Sequence, residues 1–166
     1  VAGLVRVSFD SLWNGKDGTA QLVILTSVLD CLSGVGYALQ LDREALAATM
    51  LFVAVKGDRY LAGNIGDGVI LCQTHGTATV LCPPRRGEFA NETFFLTSEA
   101  AISVFDIQRG SIGEVSAFAM MTDGVASCLY NPRNNAVAPA VSTLWRWLET
   151  NPIDVVNHRL ATTVHD

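Results

Sequence analysis

The stretch Thr49–Cys72, TMLFVAVKGDRYLAGNIGDGVILC, decides the fold of this chain. The Gly57-Asp58 pair separates its first two β-rich runs, and a Gly-Asp pair between such runs is typical of a β-hairpin. A second turn, Gly66-Asp67-Gly68, leads into a third run, Val69–Cys72. The simplest interpretation is a meander of three antiparallel strands.

Helical periodicity lies on both sides of this β-rich centre. Apolar positions share one helical face over residues 2–13 and again over Thr19–Leu32, which predicts two amphipathic helices. The pattern is helical again after Asp123-Gly124, with further helices expected around 141–148 and 152–160. Helices, then strands, then helices predict an α+β layered domain, and residues 1–166 are expected to form one such domain.

Shorter apolar segments complete this prediction. Phe94–Leu96 and Phe118–Met121 are expected to be short strands, and Thr162–Asp166 is expected to open another. Ile102–Ile107 is compatible with a strand or a short connector, and the pattern leaves both open.

Composition excludes several classes of protein. Hydrophobic residues make up 49% of the chain and charged residues 16%, with a net charge of −5 and no basic cluster, so a nucleic-acid partner is not expected. The longest apolar candidate, Ala45–Val55, is shorter than the ~20 residues that a membrane-spanning helix needs, so no membrane partner is expected. Val1–Gly15 lacks the features of a signal peptide. The four cysteines show no close pairing, and a cytoplasmic location is predicted.

Two aspartates are candidate metal ligands because of where they stand. Asp67 lies in a turn between two apolar runs, and Asp123 directly follows an apolar strand. Each is next to a glycine, where the backbone can approach an ion closely. Hard cations such as Mg²⁺ and Mn²⁺ prefer carboxylate and carbonyl oxygens. The alternative, that Asp-Gly simply makes good turns, stays open at this point.

Three segments together resemble the bacterial branch of the PP2C-type family of metal-dependent serine/threonine phosphatases. They are the strand-hairpin-GD segment Thr49–Gly68, the segment Gly87–Ser98 and the strand-then-DG motif Phe118–Val125, in the same order and spacing. The resemblance implies an α-β-β-α sandwich of two antiparallel sheets flanked by helices. It also implies a binuclear Mn²⁺ or Mg²⁺ centre, at which a metal-bridging water attacks the phosphorus of phosphoserine or phosphothreonine in a protein substrate.

The resemblance also implies roles for particular residues. Asp123 matches the family's core metal ligand, Asp67 matches the aspartate of a further and more weakly held metal, and Asp166 matches the final ligand. The family's first metal loop and phosphate-binding arginine have no counterpart here, and Ser127 stands where many relatives carry another acidic ligand.

These departures lead to two expectations. The domain is expected to be incomplete at both ends, so that one sheet has an open edge that recruits another chain, as in a strand-edge dimer. The alternatives to a phosphatase are a catalytically inactive relative that binds proteins through the same scaffold, and an unrelated α+β module.

Overall fold

The structure is a computed structural model, and it describes residues 2–16, 18–85 and 93–163. A 3₁₀ turn, Glu44–Leu46, precedes the first strand. In chain order the helices and strands are α1 (Ala2–Asn14), α2 (Thr19–Leu39), β1 (Met50–Lys56), β2 (Arg59–Ile65), β3 (Val69–Thr74), β4 (Thr77–Cys82), α3 (Ala101–Val104), β5 (Asp106–Ser111), β6 (Val115–Met121), α4 (Asp123–Leu129), β7 (Tyr130–Asn131), β8 (Ala136–Val137), α5 (Pro139–Thr150) and α6 (Ile153–Thr163).

The six longer strands form two antiparallel sheets that face each other. The first sheet has the order β1-β2-β5 and the second the order β4-β3-β6, while β7 and β8 make a separate small hairpin. One core packs α1 and α2 against the first sheet, and a second packs α4 and α5 against the second sheet. A third group of apolar side chains, including Tyr60, Ile70 and Cys82, fills the space between the sheets. The predicted α-β-β-α architecture is confirmed.

The expected meander of three strands is wrong. β2 pairs with β1 and β5, whereas β3 leaves the first sheet and pairs with β4 and β6. Val69, Ile70 and Leu71 are all fully buried, because β3 has the inter-sheet core on one face and the α4–α5 layer on the other. A run that is apolar on both faces gives no alternation from which its partners can be predicted. We call the link Gly66-Asp67-Gly68 the crossover turn.

Three element boundaries also differ from expectation. α2 continues through Gly34 and Gly36 to Leu39 and ends where Gln40 adopts a left-handed conformation with φ 55°. Phe94–Leu96 is not a strand: Leu96 donates its backbone N–H to the carbonyl of Ala48 at 2.8 Å and enters a turn. Thr162 lies within α6 rather than in a new strand, and residues 164–166 of the predicted strand lie outside the described residues. The segment that sequence left undecided contains α3 and the start of β5.

The expectation that no segment is long enough to span a membrane is wrong in one respect. α2 has 21 residues with a mean hydropathy of 1.8, so it meets the requirement by length and composition alone. Such a helix is weak evidence for a membrane span, because core helices of other proteins meet the same requirement. Here α2 packs on α1 and the first sheet, and it buries Ala20, Ile24 and Leu25 there.

β1 forms an edge of the first sheet within the part of the chain that the structure describes. A groove of about 550 Å³ runs along it, lined mainly by apolar side chains of α1 and β1. Charged residues and proline usually protect an edge strand from pairing with another chain, and residues 50–55 contain neither. Lys56 follows them, but its ammonium group is paired with Asp10 of α1, and this hydrogen bond lowers the pKa of the Asp10 carboxyl. The edge is therefore open to a further strand.

Candidate metal site

The pairing of β3 with β6 brings Asp67 and Asp123 to the same end of the second sheet. Val69 at the start of β3 is the partner of Met121 at the end of β6. Asp67 lies two residues before this pair and Asp123 two residues after it, so in an antiparallel ladder both leave the sheet at one end. A Cβ on Gly68 would lie 2.8 Å from the carbonyl oxygen of Met121, so only glycine lets the two backbones approach this closely.

The two carboxylates are held in different ways. Asp67 is half-buried, and its Oδ2 accepts a hydrogen bond of 2.8 Å from Oγ1 of Thr93. Asp123 is exposed in the first turn of α4, directly after Thr122, which has the extended φ and ψ of a residue preceding a helix. One carboxylate is thus fixed by a neighbour while the other faces solvent.

The crossover turn is held by hydrogen bonds from residues that were not selected as candidates from the sequence. Asn64 is fully buried and donates hydrogen bonds from Nδ2 to the carbonyls of Gly68 (2.9 Å) and Pro83 (3.1 Å). Asp106 on β5 is the partner of Asn64 in the sheet, and only 9% of its side chain is exposed.

Arg85 connects Asp106 to the crossover turn. Its backbone N–H donates to the carbonyl of Gly66 at 2.8 Å, and its Nη2 lies 3.7 Å from Oδ2 of Asp106. Asn64 and Thr93 stood inside motifs quoted for the family resemblance, so their spacing was visible, but their contacts across the fold were not.

The thiol near this support is not a candidate nucleophile. The pKa of the Cys82 thiol is raised to about 12, mainly by burial and also by the Asp106 carboxylate, while the Arg85 guanidinium opposes the shift. The thiol is therefore protonated at neutral pH, and thiolate is the reactive form. Burial likewise raises the pKa of Tyr60, which faces the same inter-sheet core.

Comparison with known proteins decides the family. A sequence model described as protein phosphatase 2C matches residues 17–165. The chain belongs to the protein phosphatase 2C family. It is also similar to serine/threonine-protein phosphatase 3 of Escherichia coli (strain K12), with 34% identity over 100 residues, which are 60% of this chain and 39% of that relative. The chain thus spans well under half the length of this curated relative. No solved structure matches.

Because this family is generally metal-dependent, the question for the described residues is which of them could hold a metal. Among residues 2–16, 18–85 and 93–163 no group of three or more His, Cys, Asp or Glu side chains is placed to hold a metal. Asp67 and Asp123 lie at the same end of the second sheet, while Asp166 lies outside the described residues. Two carboxylates suit Mg²⁺ or Mn²⁺, since such cations often keep several waters and bind through one or two carboxylates together with substrate phosphate. The carboxylate oxygens of Asp67 and Asp123 are of the kind that such hard divalent cations prefer.

Ser127 occupies the position at which the resemblance implies an additional acidic ligand in many relatives. It lies on α4 four residues after Asp123, and its hydroxyl donates to the carbonyl of Gly124 at 2.9 Å. The hydroxyl is thus used within the helix, and the side chain at this exposed position is neutral.

Proposed function

We propose that this chain forms part of the active site of a phosphatase that hydrolyses phosphoserine and phosphothreonine in proteins with the help of Mn²⁺ or Mg²⁺. Membership of the protein phosphatase 2C family supports protein phosphatase activity in general. The observation that carries the finer proposal is the register of β3 and β6. It brings Asp67 and Asp123 to one end of the second sheet.

The chain's own residues would hold the cation through oxygen ligands. Asp123 is the proposed core ligand, Asp67 the ligand of a more weakly held cation, and Asp166 the third carboxylate. When bound, a pair of such cations lowers the pKa of a shared water and neutralises charge on the phosphoryl group that is transferred. The exposed position of Asp123 leaves this end of the sheet accessible to a phosphoryl group on a protein surface.

Metal removal tests this proposal. The complete polypeptide that contains residues 1–166 is incubated with phosphoserine and phosphothreonine peptides, and released phosphate is measured across a Mn²⁺ and a Mg²⁺ titration. Hydrolysis should fall to background after chelation with EDTA and return when either cation is added in excess. Equal rates with and without the cation would contradict the proposal.

A catalytically inactive relative that binds proteins through the same scaffold is the second candidate. The neutral Ser127 in place of an acidic ligand favours it, because fewer carboxylates hold a second cation less tightly. Phosphate release by the same polypeptide separates the two. A folded polypeptide that releases no phosphate at saturating Mn²⁺ supports the binding domain, whereas Mn²⁺-dependent release supports the phosphatase.

We further propose that residues 1–166 act as one domain and that two copies associate through β1. Antiparallel pairing of residues 50–55 with themselves opposes only uncharged side chains, and the apolar groove beside β1 would be covered. The cytoplasmic location and the absence of nucleic-acid and membrane partners remain predictions of the sequence.

A charge at the edge of β1 tests the dimer. Val55→Lys places an ammonium group at a position that is 53% exposed on the edge strand, and it should convert a dimer into a monomer in sedimentation velocity. Val7→Lys makes the same change at an 86% exposed position of α1 and should leave the dimer intact. A wild-type chain that stays monomeric at high concentration would refute the proposed association.

A further inference from the structure

We infer that Thr93 and Asn64 are positioning residues for Asp67, which hold its carboxylate and its turn in the place that cation binding requires. The inference rests on the proposed function, because it concerns the same site. Neither residue is assigned a role by family membership or by the chemistry of the aspartates alone.

Thr93 acts on the carboxylate itself. Its hydroxyl donates to Oδ2 of Asp67 at 2.8 Å, although the two residues are 26 positions apart in the chain. This bond fixes the rotation of the carboxylate and engages one of its two oxygens, so that Oδ1 can face a cation. Partners of this kind orient metal ligands in many proteins, and their loss typically weakens metal binding about 10–100-fold.

Asn64 acts on the backbone that carries Asp67. Its Nδ2 donates to the carbonyl of Gly68 at 2.9 Å, so the side chain closes the turn around Asp67. The same Nδ2 donates to the carbonyl of Pro83 at 3.1 Å, which ties the turn to the end of β4. The amide thereby ties the crossover turn to the second sheet.

The other atom of the Asn64 amide shows that packing alone does not explain this residue. Oδ1 is buried without a hydrogen-bond partner in the part of the chain that the structure describes. A buried acceptor without a partner is unfavourable, and an apolar side chain of similar size avoids that cost. We therefore attribute the amide at this fully buried position to its two donated hydrogen bonds.

The glycines on either side of Asp67 leave the turn little freedom to adjust. A Cβ on Gly66 would lie 2.4 Å from Cγ2 of Thr49, and one on Gly68 would lie 2.6 Å from Cδ1 of Leu51. Because the backbone is enclosed in this way, the turn cannot shift far enough to bring the Asp67 carboxylate to another donor when the Thr93 hydroxyl is lost. The orientation of the carboxylate should then depend on Thr93.

Thr93→Val and Thr93→Ser form the matched pair that tests this inference. Valine keeps the size of threonine but removes the hydroxyl, whereas serine keeps the hydroxyl. Both are made in the complete polypeptide; Mn²⁺ binding is measured by calorimetry without substrate, and phosphopeptide hydrolysis is measured as a function of Mn²⁺. Thr93→Val should raise the Mn²⁺ concentration for half-maximal activity about 10–100-fold, while Thr93→Ser should stay within about 3-fold of wild type. KM for the peptide should change little in either variant.

The results separate failure of this inference from failure of the proposed function. A Mn²⁺-dependent wild type whose response is unchanged in Thr93→Val, or equally impaired in Thr93→Ser, overturns the positioning role alone. A wild type that depends on neither Mn²⁺ nor Mg²⁺ overturns the proposed function instead, and with it the site on which the inference rests.

Asn64→Leu supplies an independent measurement of the second positioning residue. It removes both donated hydrogen bonds and should also raise the Mn²⁺ requirement about 10-fold or more. Val156→Ala, at a fully buried position of α6, is the control for loss of stability without loss of these bonds. An equal Mn²⁺ response in both variants, at matched thermal stability, would mean that Asn64 has only a structural role. If Asn64→Leu does not fold, the two Thr93 variants still test whether the position of the Asp67 carboxylate sets the Mn²⁺ requirement.

Discussion

Replacing Asp123 by asparagine is expected to lower Mn²⁺-dependent hydrolysis of a phosphopeptide by about 100-fold or more. The change keeps the shape of the side chain but removes the charge that would bind the cation. Loss of a partner that merely orients a ligand already costs about 10–100-fold, and loss of the ligand itself should cost at least as much. Initial rates of phosphate release at saturating peptide, over a range of Mn²⁺ concentrations, measure the effect.

Asp154→Asn is the control for this experiment. Asp154 is also exposed and also lies in the first turn of a helix, α6, so its replacement removes the same charge from the same kind of position. Both changes therefore carry a similar cost from the helix dipole, about 0.3–1 kcal/mol. Asp154→Asn should leave the rate within about 2-fold of wild type. An Asp123→Asn enzyme with more than a tenth of the wild-type rate would argue against Asp123 as the core ligand.

The second large effect is expected at Gly66, where alanine should destabilise the fold by about 2–6 kcal/mol. Gly66 has φ +116°, a conformation that costs an L-residue about 1–3 kcal/mol. The new Cβ would also lie 2.4 Å from Cγ2 of Thr49, and overpacking of this kind typically costs a further 1–3 kcal/mol or so. Urea unfolding followed by circular dichroism measures the difference in the free energy of unfolding.

Gly34→Ala makes the same chemical change where nothing opposes it. Gly34 lies inside α2, a Cβ there would meet nothing within 4 Å, and alanine in a helix is favoured over glycine by about 0.5–1 kcal/mol. This variant should be slightly more stable than wild type. If Gly66→Ala unfolded at the same urea concentration as wild type, the turn would have to be looser than the structure indicates.

The sequence predicted the layers better than the connections between them. The helical faces of α1 and α5 were visible because their apolar residues recur with the helical period, and β1, β2 and β6 were visible as short apolar or β-rich runs next to turn signals. The pairing partners of β3 could not be predicted, since Val69, Ile70 and Leu71 are buried on both faces and show no alternation of apolar and polar residues. The end of α2 was misplaced because Gly36, a helix-breaking signal, is instead where Leu46 packs against the helix.

For the candidate site, the sequence likewise predicted the chemistry of the residues but not their arrangement in space. The chemistry of Asp67 and Asp123 followed from their strand-end positions and the family resemblance, which are local in the sequence. Their common location at one end of the second sheet depends on the register of β3 with β6, which no local pattern specifies. Thr93 and Asn64 escaped selection for the same reason, because their partners lie elsewhere along the chain or in the backbone.

If the proposed cation site is correct, the crossover turn also links ion affinity to the folding of both sheets. Asn64 at the end of the first sheet closes the turn that carries Asp67, and Asp123 follows the second sheet, so a partly folded species with separated layers should not bind the proposed ion as the native state does. A ligand that binds only the native state stabilises it by about 1.4 kcal/mol for each tenfold excess over its dissociation constant. Manganese should therefore slow the opening of both layers together in amide hydrogen exchange, rather than protect the loop alone.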